Sequence, residues 1–140
     1  MDTIFPDVEV LLRTIIVDGL AASTNPVTSD VTVATKKPAA SVSPYPSRIV
    51  TIRSDGGAQL ERDITKVERV GVSVWVGGAN AYATASTLAR IVEAIVRGGA
   101  GGSIKLVETV LSPVRVDTEE TNTPERRYMT FEVVVKADDL

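Results

Sequence analysis

The chain contains no cysteine and no histidine. The first absence rules out disulfides, and the two together rule out every thiolate or imidazole metal site. Ser-His-Asp and Cys-His catalysis fall to the same count. Carboxylates, lysines and tyrosines remain as acid-base groups, and no motif gathers them, so no enzyme activity and no cofactor are expected. Carboxylate-only sites for Mg²⁺ or Ca²⁺ stay open in principle. Aromatic residues are scarce, at 4% with a single tryptophan. No apolar run approaches the ~20 residues that span a bilayer. Basic residues never run beyond the pairs Lys36-Lys37 and Arg126-Arg127, and the net charge is −3. That balance argues against a dedicated nucleic-acid binder. The opening "MDTIFPDVEV" is acidic and holds no signal-peptide core. A soluble protein made without export, with no membrane partner, is the expectation.

What the chain has is valine and alternation. Its 140 residues, 44% of them hydrophobic, suit one domain over 1–140 with one core. Branched side chains pack well on a pleated surface, so strands are favoured. Val8, Leu11, Leu12, Ile15, Ile16 and Leu20 recur at helical spacing and predict a helix over 5–20. Pro6 is placed in its first turn, and Gly19 and the following "AAS" supply the stop. Val10 and Val17 lie off the stripe, a hint of a second covered side. Three strands are expected at 30–35, 47–54 and 67–76. In the last, Val70, Val72, Val74 and Val76 share one face, while Arg69, Gly71, Ser73 and Trp75 share the other.

A second helix is expected over roughly 80–97, with Tyr82, Ala85, Leu88, Ala89, Val92, Ile95 and Val96 as its buried stripe. "GGAGG" (98–102) ends it through the left-handed conformation that glycine accepts. Two strands, 103–119 and 126–137, close the chain. The first changes parity at Ser112-Pro113, which implies a bulge or an edge position. In the second Met129, Phe131, Val133 and Val135 share a face. Consecutive strands are expected to pair as antiparallel hairpins. The fold class is therefore α+β: one mixed, mainly antiparallel sheet of about five strands with two helices on one face. Loops 36–47, with three prolines, and 117–127, a charged tip, should project from the body.

Candidate sites are few. "VGGANAYA" after the third strand suggests a phosphate cradle, but it lacks the lysine and hydroxyl residue of a P-loop and the third glycine of a dinucleotide fingerprint. A tight corner, with Asn80 capping the helix through its side chain, is the plainer reading. Asp117, Glu119, Glu120 and Glu125 lack the spacing and glycine of an EF-hand, and they read as a solvated hairpin tip rather than a metal site. Asp138 and Asp139 are expected to solubilise the tail. Trp75 is either a second-layer core residue or an anchor where subunits meet. Tyr45, between Pro44 and Pro46, is either a contact or a pin that holds its loop to the domain.

The layout as a whole resembles the tail terminator proteins of long-tailed, siphovirus-like double-stranded DNA bacteriophages. The resemblance rests on the helix "FPDVEVLLRTII", a Pro-containing loop before "RIVTIRSDGG", and the strand "RVGVSVWV" leading into "ANAYATASTLARIVEAIV". It closes on a strand pair with the "SPVRVDTEE" bend and "RRYMTFEVVVK". It spans almost the full length and is a profile without an invariant motif. The resemblance implies a structural virion protein that forms a ring, hexameric in this family. The ring caps the tail tube, ends its elongation and offers a surface for head-tail joining. Implied partners are other copies of the chain, the tail tube protein and a head-tail connector or neck protein. DNA passes through the lumen without specific binding. The implied location is the head-proximal end of the tail, after assembly in the host cytoplasm. Candidate subunit, tube or connector contacts are Tyr45, Arg48, Trp75, Glu119, Glu120 and Arg126. Another neck ring protein is the alternative within this class. A small ferredoxin-like ligand-binding regulatory domain is the alternative outside it.

Overall fold

The computed structural model of the chain describes residues 2–62, 64–117 and 124–139. Its first helix, α1, spans Val8–Ala22 and begins later than the sequence pattern suggests. Asp7 is its cap: the carboxylate accepts the Val10 N–H at 3.3 Å, which leaves Pro6 outside the helix. Gly19 does not stop it. The helix runs three residues further and closes where the Ser23 N–H donates to the Leu20 carbonyl. Val8, Leu12, Ile16 and Leu20 are buried, whereas Val10 and Val17 are exposed.

A short 3-10 turn, Pro26–Thr28, leads into strand β2, Val31–Ala34. Four long strands and one more helix build the rest of the body: β3 (Arg48–Glu61), β4 (Thr65–Val76), α2 (Ala81–Arg97), β5 (Ile104–Val116) and β6 (Glu125–Lys136). The five strands form one sheet in the order β2-β3-β4-β6-β5. All pairs are antiparallel except β2 with β3. The α+β class, the mixed sheet and the two helices on one face are as the sequence predicts.

The parallel β2–β3 pair corrects the expected hairpin. A parallel pair needs a crossover of about a dozen residues or more, and the proline-rich segment between Ala34 and Arg48 supplies it. β3 is also longer than expected. It passes straight through Gly56-Gly57, with a register shift between Ser54 and Gly57. A β-carbon on Gly57 would collide with the Val67 carbonyl, so the close approach of β4 requires glycine there.

The core lies between the helices and the sheet. α2 contributes Ala85, Leu88, Ala89, Val92 and Val96, all fully buried. Opposite them stand Val70, Val72 and Val74 of β4 and Met129, Phe131, Val133 and Val135 of β6, also fully buried. Each valine, leucine, methionine or phenylalanine among them contributes about 1.5–3 kcal/mol by leaving water. Tyr82 departs from the expected stripe: it is exposed, at 58%, and its ring lies 4.8 Å from the guanidinium carbon of Arg127 and 5.0 Å from that of Arg115. Asn80 precedes α2 with left-handed backbone (φ 58°) and makes no side-chain cap bond; only its carbonyl accepts, from the Thr84 N–H. At the other end Gly98 has φ −82°, and the left-handed residue comes later, at Gly102 (φ 57°).

β5 occupies one edge of the sheet, as the proline implied, and its pairing with β6 shifts register three times, once between Leu111 and Val114. Asp138–Asp139 do not form a free tail. They make a short strand, β7, antiparallel to β1 (Thr3–Ile4).

Candidate functional site

The face of the sheet away from the helices carries no secondary-structure layer among the described residues. Its chemistry follows from the parity of β4 and β6. The residues between the core valines of β4 are Gly71, Ser73 and Trp75, and those between the core residues of β6 are Arg126, Tyr128 and Thr130. Register sets Trp75 opposite Arg126 and Ser73 opposite Tyr128. A small residue beside a large one lets Tyr128 lie over Gly71, where a β-carbon would stand 2.7 Å from the tyrosine oxygen.

Trp75 is the centre of this corner. Its indole N–H donates to Thr51 Oγ1 at 3.3 Å, which fixes the ring on β3. Two cations lie against the ring: Lys37 Nζ at 4.2 Å and Arg126 Cζ at 4.5 Å from its centroid. Arg126 is also 5.7 Å from the Tyr128 ring. Such contacts fix long side chains while leaving most of their N–H donors unused. Arg126 donates from Nη2 to Ser73 Oγ at 3.2 Å, and its Nε is buried without an acceptor.

Two grooves meet at Trp75 and Lys37. The first, of about 600 Å³, runs between the crossover segment and the Gly77-Gly78 corner and is lined by Tyr45, Pro46, Ile49 and Pro124. The second, of about 460 Å³, lies on the open sheet face and is lined by Lys36, Arg53, Ser73, Arg126 and Tyr128. The Gly-Gly corner thus forms a groove wall.

The expected contact residues fall into three groups. Tyr45 and Trp75 line the first groove together; Tyr45 is partly exposed, and its hydroxyl donates to the Pro38 carbonyl at 3.2 Å, within its own segment. Trp75 and Arg126 line the second. Arg48 stands apart. Its Nη1 donates to the carbonyls of Pro26 and Ser29 at 3.0 Å and of Val27 at 3.1 Å, tying the 3-10 turn to β3. Glu119 and Glu120 lie outside the described residues. Sequence reasoning missed Lys37 and Tyr128. The parity of Tyr128 with Arg126 was a usable signal; nothing in the sequence pointed Lys37 at Trp75.

Beside this corner, on the helix side, Glu125 bridges two arginines. Arg127 Nη1 donates to Glu125 Oε2 at 3.0 Å, and Arg115 Nη2 donates to Oε1 at 3.2 Å. Those hydrogen bonds, Arg127 first, hold the Glu125 carboxyl below the ordinary glutamate range. The same carboxylate raises the Arg115 guanidinium above its usual value. Arg127 is buried and also donates from Nη2 to the Tyr82 carbonyl at 3.3 Å.

No protein-family model and no curated protein shows a significant match to the chain. Among solved structures, its fold is similar to that of a chain in the structure described as "Virion of native gene transfer agent (GTA) particle". The TM-score is 0.63, with 18% sequence identity, over 89% of this chain and 94% of that chain. At this identity the likeness is one of fold.

Proposed function

We propose that the chain is a structural virion protein of a tailed, phage-like particle, and that it acts as the tail terminator. One observation carries the reading: nearly the whole chain shares its fold with nearly the whole of a chain from a gene transfer agent virion. The likeness of the sequence layout to tail terminators gives the finer role. Copies of the chain close into a ring of about six, the number that resemblance implies. The ring sits on the finished tail tube, blocks further subunits and presents its far side to a connector protein. DNA passes through its lumen without specific binding.

The edges of the sheet support ring formation. A rotationally closed ring needs two different patches that fit each other. β5 leaves its outer edge open, and Leu106, Val110, Leu111 and Val114 are exposed along it. On the opposite side β2 covers β3 only from Arg48 to Thr51, and the rest of β3 has no strand partner there among the described residues. Two unlike open edges are what head-to-tail strand pairing uses.

The test is deletion of the gene from its particle. Tails of unregulated length that carry no heads are expected. Tails of normal length with heads attached overturn the reading. Tails of normal length without heads assign the chain to the neck instead. Native mass of the protein on isolated tubes should give about six copies per tube end.

A further inference from the structure

The groove on the open sheet face has a composition that the chain as a whole does not share. The protein carries a net charge of −3, yet among the described residues neither aspartate nor glutamate lines this groove. Four cations do: Lys36, Lys37, Arg53 and Arg126. Arg53 is held by Asp55, Nε to Oδ1 at 2.8 Å. The other three have no carboxylate partner among the described residues. The hydroxyls of Thr51, Ser73 and Tyr128 stand among them.

Like charges gathered without counter-ions repel one another, so an anion entering the groove is favoured by all three at once. Arg126 is already shaped for one. Its guanidinium is fixed against Trp75 and Tyr128, and its bond to Ser73 uses one of its five N–H donors. Its buried Nε has no acceptor, which is costly when nothing binds nearby. A carboxylate accepts from a guanidinium in a two-pronged geometry and adds charge to the hydrogen bonds.

We propose that this groove is the receptor for a short acidic peptide segment of a partner protein, with two or more carboxylates engaging Arg126, Lys37 and Lys36. Nucleic acid fits the site less well. The aromatic faces are already held against cations and are not free for bases to stack on. A long polyanion also meets the carboxylates at the margins of this face, Asp55 and Glu132, and the acidic chain beyond them. A short segment senses only the groove, because screening at physiological salt removes charges beyond about 8 Å. The proposal rests on reading the Trp75 corner as a contact surface and not on ring formation.

Trp75, the sole tryptophan, lies in the groove wall and reports binding directly. Its emission is followed in the intact protein on titration with hexaglutamate peptide at low salt. A saturable change is expected, weakened about tenfold or more by physiological salt and absent with hexaglutamine. Lys37→Glu, on an exposed segment, and Arg126→Gln should each weaken binding at least about fivefold, which corresponds to about 1 kcal/mol. Arg97→Gln, at the exposed C-terminal end of α2, should leave it unchanged. No saturable change overturns the proposal, and so does undiminished binding by Lys37→Glu. Tighter binding of an oligothymidylate of equal charge overturns it in favour of a nucleic-acid site. A monomer that binds the peptide counts against the ring alone, and a ring that ignores the peptide counts against this groove alone.

Discussion

Gly19 of α1 lies so close to Ile95 of α2 that a β-carbon on the glycine would stand 2.5 Å from Ile95 Cγ2. The two helices meet at this point, and the glycine that looked like a stop signal is a packing residue. Gly19→Ala should therefore lower stability by about 1–3 kcal/mol, although alanine favours a helix. Adding Ile95→Ala should recover part of the loss, so the two changes will not be additive in urea denaturation.

Arg48 gathers three carbonyls of the turn before β2. Arg48→Ala should cost about 1–2 kcal/mol and raise amide exchange at Thr28 and Ser29. Arg48→Lys should restore only part of this, because an ammonium does not reproduce the planar fork.

The Glu125 bridge predicts an acid-sensitive term. Its folded pKa is depressed by Arg127 and Arg115. The stabilisation is then fully present above the unfolded value, about 4.3, and is lost as pH falls through the lower folded value. Glu125→Gln should reduce stability at pH 7 by no more than about 1 kcal/mol. It should also flatten the decline of melting temperature below about pH 4.3. An unchanged acid slope would mean that the bridge does not persist in solution.

Trp75 is half-buried, whereas Phe131 on the other face of the sheet is fully buried. Phe131→Ala should cost about 3–5 kcal/mol. Trp75→Ala should cost less than half of that, while capping of tail tubes in vitro fails. A loss of stability equal to that of Phe131→Ala, with capping retained by the folded fraction, would make Trp75 a core residue.

Much of this fold can be read from spacing alone. The leucine-isoleucine stripe of α1 and the valine parity of β4 and β6 are periodic over many residues, and burial follows them. The sheet order was less visible. The hairpin expectation fails at β2 because the proline-rich segment after it is long enough to cross over to a parallel partner. β3 runs beyond the expected 47–54 because its alternation lapses at Gly56-Gly57 while the pairing with β4 continues, and at Gly57 β4 comes too near for any side chain. β1 and β7 are two residues each, too short for a period to register. In the candidate site, the polar parity of Trp75 could be read from the strand. Lys37 could not, since it reaches the ring from a segment with no periodicity.

The three register shifts along β5 also bear on how the protein survives before it finds its place. A flat, regular edge of thirteen residues would be a template for unlimited strand addition and for fibrils. An edge broken at intervals offers only short stretches of matched donors and acceptors, so a chance encounter between two copies gains little. Attachment then depends on side chains that fit, which favours a finite closed assembly over precipitation.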